Sequence, residues 1–445
     1  MSIYKACDIR GVYGSDLDEE IAERLGSAVA ERIAGRDVVL GSDLRPSSSP
    51  LKWAFVRGLV SHGAQVIDIG VVPTPALYDA KDRLGTYAAV MVTASHNPPE
   101  YNGFKLMFGE RPVTPGDIDA LAEVVNETRP ISWGSYRTAS ALEPYAESLL
   151  APWSELTPRQ VVVDAGNGAM WWLAPMALQR VGLRVEPLYC LPDGTFPYRH
   201  PNPAIATHLA DLQATCARLG AWGAAYDGDG DRVIFVDEHG HVLAADRVFA
   251  LLVAHGLGGA AGACVVYDLK SSSVVPEAVE RAGGVPLAER SGHAFIKARM
   301  LDERAVLGGE ISGHYFFGTL GRDDALYATL MLADILDKRG LSLAAAMEDV
   351  PSYPITPDLR LPCEAEIADA ILRDLDTTFA DLPRSHLDGV KIQFADGWAL
   401  ARRSVTEPVI TLRFEAKSQE SLDAIRSRVI AASPDLQRIA REAGS

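Results

Sequence analysis

Short runs of apolar, mostly β-branched residues alternate with helix-length amphipathic segments along most of the chain. This alternation is typical of α/β units with largely parallel strands, because each parallel strand is followed by a crossover helix. The same order of predicted strands and helices occurs three times, and the first strands of the three units begin at Val38, Val161 and Cys264. In each unit a second strand is entered through Gly, as after a helix C-cap. The pattern predicts three related α/β domains with mixed, largely parallel sheets.

The third strand of each unit runs directly into a polar loop, and these loops contain Ser95, Asp227 and Glu310. In open α/β sheets, ligands bind beyond the carboxyl ends of the strands. Three equivalent loops would therefore line one cleft if the units are arranged around it. We expect the chemistry of the protein to lie at these three loops.

After about Pro354 the pattern changes to segments that alternate apolar and polar residues, as in an antiparallel sheet, with two helical segments among them. This indicates a smaller, fourth α+β domain. The predicted domains span residues 1–140, 141–243, 244–354 and 355–445.

The charge balance of the 445-residue chain is acidic, with 42 Lys and Arg against 59 Asp and Glu, a formal net charge of −17. Such a field repels nucleic acid and anionic membranes, and the sequence contains no basic run that would reverse it locally. We therefore expect no nucleic-acid or membrane partner. An anionic ligand would need a cleft where basic groups are concentrated.

The five cysteines are odd in number, scattered, and never in a C-x-x-C pair, which argues against a disulfide framework or a zinc ribbon. The N-terminal residues lack the apolar core of a signal peptide. The longest apolar stretch, about Val248 to Tyr267, is interrupted by His255 and several Gly, so no membrane span is expected. A cytoplasmic location fits these features best.

The first polar loop, TASHNPP, places Ser95 beside His96 and ahead of two prolines that end the strand. A serine in such a loop can be a nucleophile or a phosphate carrier. A turn closed by Ser and Asn side chains explains the same residues equally well. Lys105 follows the tight-turn pair Asn102-Gly103, and its ammonium group could face an anion.

The second loop, DGDGDR over residues 227–232, places three carboxylates at alternate positions, with glycines that let them converge on one hard cation. A calcium EF-hand loop is the main rival, because Glu238 falls at its twelfth position. Two features oppose it: Arg232 stands where that loop requires Gly, and residues 233–236 resemble a strand rather than a helix. A site with few protein ligands, and hence magnesium, is the preferred interpretation.

The third loop, GEISGH, offers a carboxylate, a hydroxyl and an imidazole, which suits recognition of vicinal hydroxyls or a proton transfer. Taken alone it is a weak signal, and so are Lys270, Arg290 and His293, for each of which a surface or structural role is the better explanation.

The basic loop RRSVTEP, which begins at Arg402, combines two guanidinium groups with two hydroxyls, as a phosphate site would. A solvated turn with surface ion pairs is the alternative.

In this order and spread, the four loops strongly resemble those of the α-D-phosphohexomutase superfamily, in its phosphomannomutase/phosphoglucomutase group. The resemblance extends to DIRG from Asp8, PDGTFPYRHPNP from Pro192 and RSGHAFIK from Arg290, and so spans essentially the whole chain. It implies a heart-shaped, four-domain molecule in which the C-terminal domain closes over a central cleft.

The resemblance also implies roles for the residues of the first two loops. Ser95 is expected to be the phosphoserine, and Asp227, Asp229 and Asp231 to bind one Mg²⁺ per chain together with the seryl phosphate. The candidates for electrostatic help and for the hydroxyl proton are Lys105, Arg10 and, as a rival base, His314.

For the substrate, the resemblance implies that the sugar hydroxyls are read by Glu310, Ser312 and His314. The expected ligands of the distal phosphate are Arg402, Ser404 and Thr406. The remaining basic residues expected to line the cleft are Arg232, Lys270, Arg290 and His293.

The implied activity is the interconversion of hexose 6-phosphate and hexose 1-phosphate, with mannose, glucose or both, through hexose 1,6-bisphosphate, which also serves as activator. Phosphoglucosamine mutases usually have Gln and Ala where Ile311 and Gly230 stand, so that activity is the second choice. Val405 and Cys7 depart from the common residues of the family. Two further candidates are a phosphosugar-binding protein without turnover and a phosphatase. The protein would be a monomer or homodimer.

Overall fold

The computed structural model of the chain describes residues 3–124, 132–404 and 408–443. Among these residues the first sheet has seven strands: β1 (Ile9–Val12), β2 (Asp37–Ser42), β3 (Gln65–Val71), β4 (Ala88–Val92), β5 (Tyr101–Phe108), β6 (Arg111–Pro112) and β7 (Ser135–Thr138). The helices of this part of the chain are α1 (Glu19–Arg32), α2 (Ser48–Ser61), α3 (Thr74–Leu84) and α4 (Pro115–Val124).

The strand order of the first sheet is β1-β5-β4-β2-β3-β7, with β6 beside β5. Strands β4, β2, β3 and β7 are parallel, whereas β5 is antiparallel to β4, β1 and β6. Helices α1 and α2 approach each other closely through Gly26 and Gly58. A Cβ atom at Gly58 would lie 2.0 Å from the carbonyl oxygen of Glu23, so only glycine allows this contact.

The second sheet has, within the described ranges, four strands in the order β11-β10-β8-β9: β8 (Gln160–Asp164), β9 (Arg184–Leu188), β10 (Trp222–Tyr226) and β11 (Val233–Val236). Strands β8, β9 and β10 are parallel and β11 is antiparallel. Its helices are α5 (Leu142–Leu150), α6 (Leu173–Arg180), a 3₁₀ turn (Ala206–Leu209) and α7 (Ala210–Leu219).

The third sheet has the order β13-β12-β14-β15-β16, and its strands are β12 (Cys264–Asp268), β13 (Val285–Glu289), β14 (Leu307–Gly309), β15 (Tyr315–Phe317) and β16 (Arg322–Asp323). Strands β12 to β14 are parallel, and the last two strands are antiparallel. Its helices are α8 (Ala245–Gly256), α9 (Val274–Arg281), α10 (His293–Glu303), α11 (Ala325–Arg339) and α12 (Leu343–Glu348).

The first three sheets share one arrangement of four strands. The orders β3-β2-β4-β5, β9-β8-β10-β11 and β13-β12-β14-β15 each consist of three parallel strands followed by an antiparallel one. The predicted threefold recurrence and the mixed, largely parallel sheets are therefore confirmed. In each case the loop between the third and fourth strands is one of the three polar loops.

The fourth sheet is antiparallel throughout, as predicted, with the order β17-β21-β20-β19-β18. Its strands are β17 (Leu359–Pro362), β18 (Arg384–Ser385), β19 (Val390–Phe394), β20 (Gly397–Arg403) and β21 (Val409–Ala416). Its helices are α13 (Ala365–Thr378), α14 (Gln419–Ala431) and α15 (Pro434–Glu442).

One hydrophobic core runs through the second and third sheets and continues to the α3 side of the first sheet, where Leu77 and Met91 belong to it. A second core fills the other side of the first sheet, and a third lies under the fourth sheet. Leu269, Trp398 and Leu400 form a small cluster between the third and fourth sheets. In the described part of the chain, no helix combines the length and apolar character needed to cross a bilayer.

Candidate active site

Ser95 lies in the loop that follows β4, with its backbone in the left-handed region at φ 51°. A non-glycine residue is uncommon there, so the loop must hold it in place. The Ser95 N–H donates to Thr93 Oγ1 at 2.8 Å, and Thr93 Oγ1 in turn donates to Asp43 Oδ2 at 2.7 Å. The serine is fully buried in this conformation. Its hydroxyl is thus fixed in one direction.

That direction is toward the loop after β10: Ser95 Oγ donates to Asp227 Oδ2 at 2.8 Å. Thr74, at the start of α3, adds two contacts to Asp229, because its N–H donates to the carbonyl oxygen at 2.9 Å and its hydroxyl to Oδ2 at 2.7 Å. The loops of the first and second sheets therefore meet, as expected if both line one cleft.

The DGDGDR loop folds around Asp227, whose Oδ1 accepts from Gly230 N–H at 2.9 Å and Arg232 N–H at 3.2 Å. Carboxylate oxygens of Asp227, Asp229 and Asp231 all lie within 4.8 Å of one another, and the three side chains are buried. Glu238 accepts a hydrogen bond from Ala344 N–H at 3.1 Å, away from these carboxylates, which removes the EF-hand alternative.

The three carboxylates fit a metal ion. Among the described residues, Asp229 Oδ1 and Asp231 Oδ1 are buried without a hydrogen-bond donor. Burial and the two neighbouring carboxylates raise the pKa of Asp227 to about 8. A divalent cation would supply the positive charge that these buried oxygens need.

Lys105, on β5, brings an ammonium group to the same cluster. Its Nζ donates to Asp229 Oδ2 at 2.6 Å and to Asp231 Oδ2 at 2.5 Å. Burial alone would lower the pKa of Lys105, but the two carboxylates raise it above its ordinary value. The lysine is therefore protonated in this arrangement.

Arg10, on β1, reaches the loop that carries Ser95, where its Nη1 donates to Asn97 Oδ1 at 2.8 Å. The neighbouring His96 is neutral, because the positive charge of Arg232, burial and the charge of Arg10 all lower its pKa far below the ordinary value. The charges of Arg10, Lys105 and Arg232 thus all act on His96, the neighbour of Ser95.

His314 links the third sheet to the metal loop. Its Nε2 accepts from Arg232 Nε at 2.9 Å, and its Nδ1 lies 2.8 Å from Asp323 Oδ2. Because an arginine can only donate, Nε2 carries no proton here, and Nδ1–H donates to the aspartate. Both nitrogens of this buried imidazole are therefore engaged.

A cavity of about 560 Å³ lies between the second and third domains, next to these groups, with Arg413 of the fourth domain at its edge. Its lining includes Arg232, Lys270, Ser291, Glu310, Ser312 and Arg413. The Ser312 hydroxyl is buried without a partner among the described residues. Lys270 Nζ donates to Asp358 Oδ2 at 2.6 Å. This cavity combines cations with acceptors, as a phosphorylated polyol requires.

Other predicted site residues lie at the edges of this region. The Arg290 guanidinium stacks 3.6 Å above the Phe295 ring, and the His293 ring lies 5.7 Å from that of His314. Burial, followed by the charge of Lys105, lowers the pKa of His293 to about 4.

The predicted phosphate loop of the fourth domain is described in part. Arg402 pairs with Asp388 at 2.9 Å, and Ser404 N–H donates to the Val409 carbonyl oxygen at 3.0 Å. These contacts bind both residues to their own domain. Val405 and Thr406 lie outside the described residues.

Four family models match the chain in order. They are domains I (alpha/beta/alpha, residues 1–130), II (alpha/beta/alpha, residues 143–240), III (alpha/beta/alpha, residues 244–353) and the C-terminal domain (residues 359–432) of phosphoglucomutase/phosphomannomutase. The chain belongs to this family. It is a mutase, that is, an intramolecular phosphotransferase.

Individual relatives agree with this assignment. The phosphomannomutase/phosphoglucomutase of Pseudomonas putida is 36% identical over 98% of this chain and 97% of its own. The phosphoglucomutase of Neisseria gonorrhoeae is 33% identical over 98% of both chains. The crystal structure of a Burkholderia thailandensis phosphoglucomutase/phosphomannomutase family protein superimposes with a TM-score of 0.91 at 34% identity, covering 97% of this chain and 98% of that one.

Two buried arginines of this mutase escaped the sequence analysis. Arg45 donates through Nη2 to the carbonyl oxygens of Ser95 at 2.8 Å and Asn97 at 2.7 Å, and its Nε pairs with Asp43 at 3.0 Å. Arg199 donates through Nε to Asp164 at 2.8 Å. Its Nη2 donates to Tyr226 O at 2.6 Å, directly before the metal loop.

Arg413 of the mutase was also missed. It lies on β21, inside what reads as an ordinary amphipathic strand, yet its Nη1 donates to Asp358 Oδ1 at 3.2 Å and it lines the cavity. For Arg45, the Asp-x-Arg spacing after β2 was the available signal, whereas β21 offered none.

Proposed function

We propose that the protein moves a phosphoryl group between the 1- and 6-oxygens of glucose or mannose phosphate, with Ser95 as the carrier. The observation that carries this proposal is the 2.8 Å hydrogen bond from Ser95 Oγ to Asp227 Oδ2. It places the acceptor hydroxyl of one loop against a cluster of cation ligands from another. Phosphoryl transfer needs this combination of in-line positioning and charge neutralisation.

The proposed metal is Mg²⁺, one per chain, held by Asp227, Asp229 and Asp231 together with a phosphate oxygen on Ser95. Oxygen ligands only, and few of them, suit magnesium, which keeps positions for phosphate oxygens. When bound, the ion offsets negative charge on the transferring group. The buried oxygens without donors support this assignment.

Lys105 and Arg10 are proposed to add positive charge beside the transferring phosphoryl group, while Arg232 orients the metal loop. The two carboxylates keep Lys105 protonated, so it would accept the proton of the attacking hydroxyl only once a bound cation has taken over those carboxylates. Its rival, His314, has both ring nitrogens engaged by Arg232 and Asp323, which favours a positioning role for the imidazole.

The sugar is proposed to occupy the cavity beside the third loop, where its hydroxyls would meet Glu310, Ser312 and His314. Lys270, Arg290 and His293 would complete that wall. The distal phosphate is assigned to Arg402, Ser404 and Thr406 of the fourth domain.

The reaction would produce hexose 1,6-bisphosphate, which turns end over end before its second phosphate returns to Ser95. Added bisphosphate would therefore activate the unphosphorylated enzyme. The fourth domain must exclude water during this step, because water at the phosphoserine would give hydrolysis instead.

The names of the relatives favour glucose and mannose over glucosamine phosphate as substrates. A binding protein without turnover is opposed by the intact contact between Ser95 and the carboxylate cluster. Five unpaired cysteines support a cytoplasmic, reducing location. The acidic net charge argues against nucleic-acid or membrane partners, and we retain a monomer or homodimer.

The proposal is tested with a rate panel of glucose, mannose and glucosamine phosphates, with Mg²⁺ and a trace of hexose 1,6-bisphosphate. Isomer formation and free phosphate are followed together. Isomerisation of glucose or mannose phosphate without phosphate release supports the mutase. Phosphate release without an isomer would identify a phosphatase, and binding without turnover would identify a binding protein.

A further inference from the structure

An aspartate occupies the same place in each of the three α/β sheets, at the carboxyl end of the first strand of the unit. Asp43 directly follows β2, Asp164 ends β8 and Asp268 ends β12. All three are buried, with at most 1% of each residue exposed. A buried carboxylate needs a partner, so the three surroundings can be compared directly.

In the first two sheets the partner is a buried arginine. Asp43 pairs with Arg45 and Asp164 with Arg199. Arg45 also donates to the Ser95 carbonyl oxygen, and Arg199 to that of Tyr226, the last residue before the DGDGDR loop. These two aspartates therefore have a structural role: each holds the buried arginine that contacts the neighbouring loop or strand end.

Asp268 has no such cation. Its Oδ1 accepts from the Lys270 N–H at 2.9 Å and from Ser291 Oγ at 2.7 Å. Its Oδ2 is buried without a donor, and among the described residues no basic group lies within 4.0 Å of the carboxylate. Burial and the nearby Glu310 raise its pKa to about 6. Leaving a carboxylate oxygen in this state costs stability.

The position of Asp268 offers a functional reason for this loss of stability. The residue lines the 560 Å³ cavity together with Glu310, Ser312 and Lys270. We propose that Asp268 determines substrate specificity by accepting, at Oδ2, a hydrogen bond from a hydroxyl group of the bound hexose phosphate. This inference rests on the proposed function. Carboxylate residues that line one cavity suit a polyol, and an acceptor left unpaired by a deoxy sugar would discriminate against that sugar.

The test compares the wild type with Asp268→Asn on glucose 1-phosphate, mannose 1-phosphate and their 2-, 3- and 4-deoxy analogues. Asparagine can keep the Oδ1 contacts but offers an N–H where Oδ2 was. We expect kcat/KM to fall about tenfold to a hundredfold, mainly through KM. For the analogue that lacks the contacted hydroxyl, the wild type and the variant should be equal. An unchanged kcat/KM, or an equal loss on every analogue, would overturn the assignment.

Measurements of Tm distinguish a role of Asp268 in substrate binding from a purely structural role. Asp164→Asn should lower Tm, because it weakens the pair with buried Arg199. Asp268→Asn should keep or raise Tm, because it removes an uncompensated buried charge. A drop in Tm with unchanged kinetics would make Asp268 structural and reject the inference. Asp268→Ala repeats the kinetic comparison if the asparagine variant does not fold.

If the wild type isomerises none of the sugars, the proposed function fails, and Asp268 is then tested by calorimetry. Glucose 6-phosphate and its deoxy analogues are titrated into the wild type and Asp268→Asn. The inference is supported if the variant binds glucose 6-phosphate more weakly than the wild type does, and if this difference disappears for one deoxy analogue. Equal binding by both proteins would reject it.

Discussion

Lys105 lies between Asp229 and Asp231 and donates to both, so a single side chain joins the first sheet to the metal loop of the second. We expect Lys105→Met to lower mutase activity at least about a hundredfold, since charge neutralisation supplies much of the barrier reduction in phosphoryl transfer. The substitution also leaves two buried carboxylates without their ammonium partner, so Tm without metal should fall.

Added Mg²⁺ should raise the Tm of Lys105→Met more than that of the wild type, because the ion meets a more negative cluster. Lys338→Met is the matched control, since Lys338 pairs with Asp334 at an exposed position. An equal Mg²⁺ shift in all three proteins, measured by thermal unfolding, would contradict the assigned metal site.

Lys297, on α10, is a buried lysine that the mechanism does not use. Its Nζ lies 3.7 Å from Met107 Sδ and 4.4 Å from the Tyr78 ring centroid, and in the described ranges no carboxylate lies within 4.0 Å. Burial lowers its pKa from 10.5 to about 8. The folded protein therefore releases this proton before the unfolded chain does, and stability rises with pH between these two values.

We expect Lys297→Met to raise the free energy of unfolding at pH 7 by up to about 3 kcal/mol, the equivalent of the pKa difference. The difference in unfolding free energy between variant and wild type should narrow as pH rises from 8 toward 10.5, because only above 10.5 is the lysine neutral in both states. Urea unfolding at pH 7 and pH 9.5 provides the measurement. If the variant and the wild type differ in unfolding free energy by the same amount at both pH values, the difference comes from packing and not from the charge of Lys297.

At the scale of elements, the active-site loops are held by buried arginines rather than by the strands alone. Arg45 donates to the carbonyl oxygens of Ser95 and Asn97 while its charge is balanced by Asp43. Arg45→Met removes the donor and leaves the aspartate buried and unpaired. We expect a loss of about 3–5 kcal/mol in unfolding free energy and a large fall in kcat, because Ser95 loses its orientation.

Arg24→Met serves as the control for Arg45→Met, because Arg24 pairs with Glu20 on the exposed face of α1. That variant should keep stability within about 0.5 kcal/mol of the wild type. Denaturant unfolding and a single-turnover assay measure both effects. An Arg45→Met protein with wild-type stability and kcat would refute the role given to the guanidinium.

The elements themselves were largely predictable. The apolar runs from Val38, Val161 and Cys264 identified the three central strands, since buried parallel strands are continuously apolar. The alternation after Pro354 identified the antiparallel sheet in the same way. What local pattern could not predict was pairing between distant segments: Arg199 with Asp164, or Arg413 with Asp358. Such contacts depend on how distant segments of one domain fold together, and residue type alone does not specify them.

At the scale of the whole molecule, the fourth domain contacts the third through both apolar packing and hydrogen bonds. Trp398 packs with Leu269, and its Nε1 donates to Glu415 Oε1 at 2.9 Å, which also accepts from Ser273 N–H at 2.8 Å. Lys391 Nζ donates to the Leu269 carbonyl oxygen at 2.7 Å. This joint fixes the position of the fourth domain, and with it Arg402 and Ser404, relative to the third domain.

We expect Trp398→Ala to remove about 3–5 kcal/mol of stability and to uncouple the fourth domain. Calorimetry should then show a separate, earlier transition for that domain, and KM should rise for every sugar phosphate. Trp133→Ala is the control, because 83% of Trp133 is exposed. One transition at the wild-type Tm would contradict this account of the joint.

The central claim is that Ser95 carries the phosphoryl group between two ends of one sugar. In the most direct measurement, the enzyme is first phosphorylated with glucose 1,6-bisphosphate that carries the radiolabel in its phosphate groups. It is then freed of ligand and mixed with one equivalent of unlabelled glucose 1-phosphate and Mg²⁺. We expect label on Ser95 at the start and in glucose bisphosphate and glucose 6-phosphate afterwards, with none on Ser95→Ala. Label that never binds Ser95, or that leaves it only as inorganic phosphate, would contradict the claim.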